Sequence, residues 1–380
     1  MREPRLAGYD DVRSLARRRL PRGVLEFVEG GAGAEVTVGE NRSAFARVTF
    51  DPRWLTDVAE RDVSTTVLGE RVALPLLLAP AGLARLAHPD GGELDAARAA
   101  EAAGTVFCVS IASSYSLEEI RAVSNGPLWL QLYLWRSDEV VRGLVDRARD
   151  AGYRALVLTI DVPVVGNRER DLRNGVGLPP PVRLDTLLDA LRHPAWAKAY
   201  VRTPPVTMSN LAGVVPDGVG SIAAYVDREL TDQRAGWERV GRLRRLWDGP
   251  LVVKGVLSAR DALEAVRQGA DAVYVSNHGG RQLDSSPATL DVLPEIAEAV
   301  GDRAEILLDG GVRRGEDVVK ARALGARACL AGRPWFLALG GGGRTLLERY
   351  LELVRRDVDR TLALVGVPRF DDVGPEILRR

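Results

Sequence analysis

One histidine, of only three in 380 residues, stands three positions before an arginine in Ser276-Asn277-His278-Gly279-Gly280-Arg281-Gln282-Leu283-Asp284. The nonapeptide follows a short apolar run, Ala272-Val273-Tyr274-Val275. A base and a cation so placed at the end of a buried strand form a candidate catalytic pair, suited to moving a proton beside a fixed positive charge. The two glycines between them permit backbone conformations that other residues resist and let a flat ligand come close. A plain strand-to-helix turn with capping polar residues would explain the nonapeptide taken alone. The weight therefore falls on the rest of the chain.

Other residues of the same kind recur at regular intervals. Pro80-Ala81-Gly82, Ser110, Gln131 with Tyr133, Thr159 with Asp161, Lys254, His278 with Arg281, Asp309-Gly310-Gly311-Val312-Arg313-Arg314-Gly315 and Gly332-Arg333 each close a short apolar run. Those runs are Leu74 to Pro80, Thr105 to Ser110, Leu128 to Leu134, Ala155 to Asp161, Leu251 to Gly255, Ala272 to Asn277, Glu305 to Gly310 and Ala328 to Gly332. Uninterrupted apolar runs of this length, separated by amphipathic stretches, predict a parallel sheet of βα units. Val140, Val141, Leu144, Val145 and Ala148 recur at helical spacing before Gly152, and Ser258-Ala259-Arg260-Asp261 opens a helix with Leu263 and Val266 on one face, ending at Gly269. Eight strands in this rhythm predict an α/β fold of the (β/α)8 barrel type, with chemistry at the C-terminal strand ends. The last two ends suit a phosphate: glycines expose backbone N–H groups, and Arg313 and Arg333 add charged donors.

The chain reads as one domain over 1–380, with a barrel over 73–340. Residues 1–72 read as a helical N-terminal extension, including Leu15 to Val28 and the turn Gly30-Gly31-Ala32-Gly33. A long insertion over 175–236 follows the fourth strand and reads as a lid. It carries Pro179-Pro180-Pro181, the stretch Leu184 to Val201 with Trp196 and Tyr200, and Pro204-Pro205. Asp185, Asp189 and the break at Pro194 favour a lid or an oligomer contact over a helix resting on a membrane. Gly340 to Gly343 lacks a phosphate-loop context and reads as a flexible turn before a C-terminal helix over 341–380.

Composition narrows the function. The 52 basic and 52 acidic residues cancel, which gives no electrostatic footprint for nucleic acid. Cys108 and Cys329 lie in apolar runs and read as small buried hydrophobes, which points to a reducing cytoplasm. The charged N-terminus lacks the apolar core of a signal peptide, and no segment has the length of a spanning helix. No spacing suggests a metal site, and His88 and His193 read as structural.

Taken together, the nonapeptide, Leu308 to Gly315, Gly332-Arg333-Pro334, Gln131-Leu132-Tyr133, and Thr159 to Asp161 with Arg168 resemble the FMN-dependent L-2-hydroxy-acid oxidases and dehydrogenases. The resemblance runs from the Leu20-Pro21 region to the C-terminal helix. It implies an FMN-containing barrel that oxidises an (S)-2-hydroxy acid to the 2-oxo acid. Carried over by position, it implies His278 as the base, Asp161 as the group orienting its imidazole, and Arg168 and Arg281 as the substrate carboxylate clamp. Tyr133 would bond the substrate oxygen, and Lys254 would face the part of the flavin where negative charge develops. Ser110, Gln131 and Thr159 would hold the flavin ring, and Pro80, Ala81 and Gly82 would pack along it. Ser276, Asp309, Gly311, Arg313, Gly332 and Arg333 would complete the cofactor site, the last residues at the phosphate. The resemblance also implies a homo-oligomer, a tetramer or an octamer.

Three positions depart from the family pattern and bear on the substrate. Phe27 stands where a second active-site tyrosine is common, as in some hydroxymandelate oxidases. Ala112 replaces a bulky tryptophan of glycolate oxidase-like members, and the run Ser110 to Ser114 is closer to mandelate dehydrogenase. Gly82 stands where many oxidases have alanine. The expectation is an aryl substrate, mandelate-like or 4-hydroxymandelate-like, or a longer aliphatic one. L-lactate oxidation and FMN-dependent tailoring of a peptide or secondary metabolite are the alternatives. The expected acceptor is oxygen or a quinone-type carrier approached through 175–236, where peripheral membrane association is the alternative to a lid.

Overall fold

A strand buried on both faces needs no polar alternation, which is why the eight runs read as continuous apolar stretches. In the computed structural model, which describes residues 6–175, 184–211 and 232–379, all eight become parallel strands. They are β3 (Leu76–Leu78), β4 (Phe107–Ser110), β5 (Leu128–Tyr133), β6 (Ala155–Thr159), β7 (Leu251–Val256), β8 (Ala272–Val275), β9 (Glu305–Leu308) and β10 (Ala328–Ala331). They close in the order β10-β3-β4-β5-β6-β7-β8-β9. Leu77, Cys108, Trp129, Val157, Val252, Tyr274, Leu307 and Leu330 fill the barrel, while their neighbours along each strand pack outward under the helices.

Register decides which polar side chains meet. Parallel pairing sets Ser110 beside Gln131, Tyr133 beside Thr159, and Thr159 beside Lys254. The polar strand ends thus form a continuous belt around one mouth of the barrel. The helices behave as their end signals dictate. Ser258 caps Ala259–Arg267 by accepting from Asp261 N at 3.2 Å, and Ser137 caps Asp138–Asp150 in the same way. The buried face of Ala259–Arg267 is Ala262 and Ala265, with Leu263 exposed. Val266 packs against the core beside them as its spacing predicts, and only Leu263 falls outside the buried face.

The extension departs from the sequence expectation. It is not helical throughout: an antiparallel hairpin, β1 (Thr65–Val67) and β2 (Glu70–Val72), closes it. Val67 and Val72 join the interior cluster, and Leu68 N bonds the carboxylate of Glu305 at the start of β9, so the hairpin plugs the far mouth. The expected helix over Leu15 to Val28 is two, α1 (Tyr9–Arg19) and α2 (Arg22–Glu29), interrupted at Leu20-Pro21 because proline cannot continue a helix from within. A third helix, α3, spans Val36–Arg47.

The C-terminal boundary needs correction. The stretch Arg333–Val365 follows β10 directly and is two helices joined at a kink, and the second of them, the expected C-terminal helix, ends at Val365 and not at 380. Gly340 and Gly341 are buried inside the first, and the chain breaks only at Gly342 and Gly343, the latter at φ 66°. The expected turn thus falls at the last two of the four glycines, while the first two pack inside the helix before it. Within the insertion, Leu184–Arg192 and Pro194–Arg202 are separate helices with the break at Pro194, and Trp196 stacks on Tyr200 at 4.8 Å. Pro179-Pro180-Pro181 lies outside the described residues.

Candidate active site

The belt opens into a cavity of about 690 Å³. Its walls include Pro80, Ala81, Gly82, Ser110, Ala112, Tyr133, Arg168, Lys254, His278, Arg281, Asp309, Gly311, Arg313, Gly332 and Arg333, joined by Phe27 from α2. Gln131, Thr159 and Ser276 are not on the wall; they are buried directly behind it. There Ser110 Oγ donates to Gln131 Oε1 at 3.1 Å, and Gln131 Nε2 donates to Thr159 Oγ1 at 3.0 Å. Ser276 Oγ accepts from His278 N at 3.1 Å.

His278 sits at the head of a left-handed run, with φ 57° followed by Gly279 at 65° and Gly280 at 75°. Only the glycines adopt this conformation without cost; a side chain there stores about 1 kcal/mol or more and aims the imidazole off the strand axis. His278 Nδ1 lies 3.0 Å from Asp161 Oδ1, and Lys254 Nζ lies 3.9 Å from Asp161 Oδ2. Burial pushes the Asp161 carboxyl up, but Lys254 and His278 outweigh it and hold the group below its ordinary range. An ionised carboxylate only accepts, so Nδ1 carries the proton and Nε2 keeps its lone pair. Burial and then Lys254 hold the imidazole below its ordinary value, against the pull of Asp161. Burial also lowers Lys254, yet Asp161 and Asp309 hold it up as an ammonium. The result is a neutral imidazole beside a fixed ion pair.

Two arginines face this group. Arg281 Nη1 donates to the carbonyls of Phe27 and Gly30, each at 2.8 Å, and its guanidinium lies 5.2 Å from the Phe27 ring. Burial, then Arg168 and Arg333, drive Arg281 well below the usual guanidinium value against the pull of Asp171, whose Oδ2 lies 3.8 Å from Arg281 Nη2, so the two arginines share one carboxylate and can take a second. Arg168 is held by the nonapeptide: Gln282 Oε1 accepts from Arg168 Nη2 and from Gly166 N, both at 3.3 Å, while Gln282 Nε2 donates to the carbonyls of Asp161 and Val164. Gln282 therefore orders this segment. Its amide uses both donors and both acceptor positions on the loop that carries Asp161 and Arg168, which no sequence spacing could indicate.

At the other end of the cavity Gly310 and Gly311 have φ of 89° and 97°. A Cβ on Gly311 would run into the Asn41 backbone of α3, so glycine is needed for close approach there. Arg313 lies over the Tyr9 ring at 5.0 Å. Arg333, expected at a phosphate, turns its guanidinium to the carbonyls of Val28, Glu29, Gly30 and Gly279, and burial followed by Arg313 lowers it to about 10. It caps the C-terminus of α2 as well as lining the cavity.

FMN requires a flat slot, hydroxyl acceptors and a phosphate pocket in sequence. Asp309 Oδ1 is buried without a hydrogen-bond partner while Asp309 lines the wall, leaving an acceptor for a ligand hydroxyl between Lys254 and the Gly311–Arg313 turn. The residues present fit the group. An eight-stranded barrel with a base, two arginines and a cavity lined by residues that fit a flavin points to a flavin-dependent oxidoreductase.

The profile of the FMN-dependent dehydrogenase family matches residues 16–380, and the chain belongs to that family. It is 40% identical to the (S)-mandelate dehydrogenase of Pseudomonas putida over 374 residues, which is 98% of this chain and 94% of that one. It is also 40% identical to an L-lactate oxidase of a Nostoc species, covering 97% of this chain and 96% of that one. A crystal structure of the monotopic membrane protein (S)-mandelate dehydrogenase superposes with a TM-score of 0.93 at 40% identity, covering 99% of this chain and all of that one (100%).

Proposed function

We propose that the protein oxidises an aryl (S)-2-hydroxy acid of the mandelate type to the 2-oxo acid. The observation that carries the substrate reading is the short side chain of Ala112, which opens the cavity toward Leu83, Ile111, Met208 and Leu211. An apolar end of this kind accepts a ring and gives a very small polar acid little to hold. Similarity to a mandelate dehydrogenase supports the same class.

Arg168 and Arg281 fix the substrate carboxylate, and Tyr133 bonds the oxygen on the α-carbon. His278 Nε2 removes one proton from the CH–OH group, and Asp161 stabilises the imidazolium that results. Bound FMN would supply the acceptor for the two electrons and the second proton. Lys254 remains charged beside the place where that charge arrives. Ser110 would meet the ring, backed by Gln131 and Thr159 behind it, and Gly311, Arg313 and the backbone of Gly332-Arg333 would take the phosphate.

Leu187, Leu188, Leu191 and Val201 are exposed on the two insertion helices, beside Arg192, Lys198 and Arg202. Asp189, which argues for a lid in the sequence, is engaged by Arg22 N at 2.5 Å, and the exposed apolar side chains among cations then favour contact with a membrane surface and a quinone-type acceptor over oxygen. Among the described residues no helix is long and apolar enough to cross a membrane.

The test is anaerobic titration of the yellow protein with a panel of (S)-2-hydroxy acids. Mandelate or 4-hydroxymandelate should bleach the flavin at lower concentration than lactate or glycolate. Bleaching by lactate alone overturns the substrate reading. His278→Ala should retain FMN and fail to bleach. Slow reoxidation in air with fast reoxidation by a soluble quinone supports the acceptor, and the reverse order removes it.

A further inference from the structure

Tyr274 is fully buried inside the barrel and has no part in the chemistry described above. It stands on β8 opposite Lys254 of β7 and Leu307 of β9, two residues before the level of Asp309. Its hydroxyl donates to Asp309 Oδ2 at 2.8 Å, and Lys254 Nζ lies 5.5 Å from the centre of its ring. Around it are Cys108, Trp129, Leu307 and Leu330, an apolar interior in which a phenol needs an acceptor. Burial, reinforced by Asp309, holds the phenol well above its ordinary pKa, so it remains a donor.

Asp309 has two oxygens with different fates. Oδ2 is taken by Tyr274, whereas Oδ1 is buried, unpartnered and on a residue that lines the cavity. The backbone around the carboxylate is also fixed, because Thr289 Oγ1 donates to the carbonyls of Asp309 and Gly310. With one oxygen tied from below, the carboxylate cannot rotate freely, and its second oxygen is left without a partner at the cavity wall. FMN carries several hydroxyls between its ring and its phosphate, and Asp309 lies between Lys254 and the Gly311–Arg313 turn.

We propose that Tyr274 is a positioning residue for the cofactor's hydroxylated side chain: by binding Asp309 Oδ2 from inside the barrel, it presents Oδ1 as the acceptor for one of those hydroxyls. The proposal rests on reading the cavity as the FMN site. Phenylalanine at 274 would fill the same space and leave Asp309 free to turn, with a buried oxygen unpaired. Loss of a donor to a buried charged acceptor weakens what depends on it by about tenfold.

The experiment starts from holoenzyme stripped of FMN and titrated with FMN, or with an analogue that keeps ring and phosphate and has a deoxygenated side chain. Quenching of flavin fluorescence reports binding. Tyr274→Phe should raise the Kd for FMN about tenfold and that for the analogue less than about twofold. Equal losses for both ligands, or no loss for FMN, overturn the proposal, since a role confined to packing would not distinguish them. Asp309→Asn separates the two readings. If it weakens FMN while Tyr274→Phe does not, Tyr274 has no such role; if it leaves FMN binding intact, the placement of the cofactor itself fails. Should Tyr274→Phe not fold, 3-fluorotyrosine at 274 keeps the hydroxyl and makes it a stronger donor. It should shift the ratio of FMN to analogue affinity, and an unchanged ratio overturns the proposal.

Discussion

His278 is set by two neighbours of opposite charge, and that makes its protonation testable in both directions. Burial and Lys254 favour the neutral imidazole, and Asp161 favours the imidazolium. Because the folded-state pKa is depressed, the base is free down to a lower pH than an unperturbed histidine would allow. The acid limb of kcat/KM should lie below pH 6.5. Replacing Lys254 by methionine removes a positive charge that lowers the imidazole and should move this limb to higher pH. Asp161→Asn removes a negative charge that raises it, so the limb should move lower while kcat falls by about 10² or more. A pH–rate series on the three proteins checks the signs, and a shift in the same direction for both variants refutes the assignment. Phe27 supplies the other residue-scale test. Its ring lies against Arg281 without a hydroxyl to offer, so Phe27→Tyr should lower the KM for lactate about threefold to tenfold and affect mandelate less.

At the scale of elements, the strands were legible because burial on both faces writes itself as apolar runs, and the site was legible because barrels collect chemistry at one set of strand ends. The hairpin β1–β2 was not, since three-residue strands carry too short a pattern, and its turn at Leu68-Gly69 resembles any loop. Tyr274 and Gln282 escaped for a related reason: each acts through a partner far away in sequence, Asp309 in one case and residues 161–168 in the other. Loop 161–168 is where this matters for rate. A Cβ on Gly166 would meet the Arg281 carbonyl and come within 2.6 Å of Gln282 O, so the loop lies flat on the nonapeptide only because that residue is glycine. Gly166→Ala should push the loop outward, carrying Arg168 from the substrate carboxylate and raising KM about tenfold with kcat less affected. Steady-state kinetics separate this from a fall in kcat alone, which would place the damage at Asp161 and His278.

Across the whole molecule, the N-terminal extension is wired into the cavity rather than wrapped around it. Arg281 and Arg333 reach out of the barrel to the last carbonyls of α2, Ala32 N donates to the Gly280 carbonyl, and Gly33 N donates to Asn167 O. What sets the position of α2 is the packing just before it. A Cβ on Gly340 would fall 2.6 Å from Leu20 Cδ1, and one on Gly341 would fall 3.0 Å from Ala16 N, so these glycines of the helix that follows β10 let α1 and the Leu20-Pro21 corner settle against it. That same helix begins at Arg333, on the cavity wall. Gly340→Ala forces a methyl group into this contact, which should destabilise the fold by about 1–3 kcal/mol. If the extension were only a cover, the loss would be the same with and without cofactor. Because displaced α2 carbonyls would release Arg281 and Arg333 into the cavity, FMN binding should weaken too, and the rise in Tm that free FMN gives the apoprotein should shrink in the variant. Melting curves over a range of FMN concentrations measure both quantities. Parallel curves for the two proteins would show that the extension and the cofactor site are energetically separate.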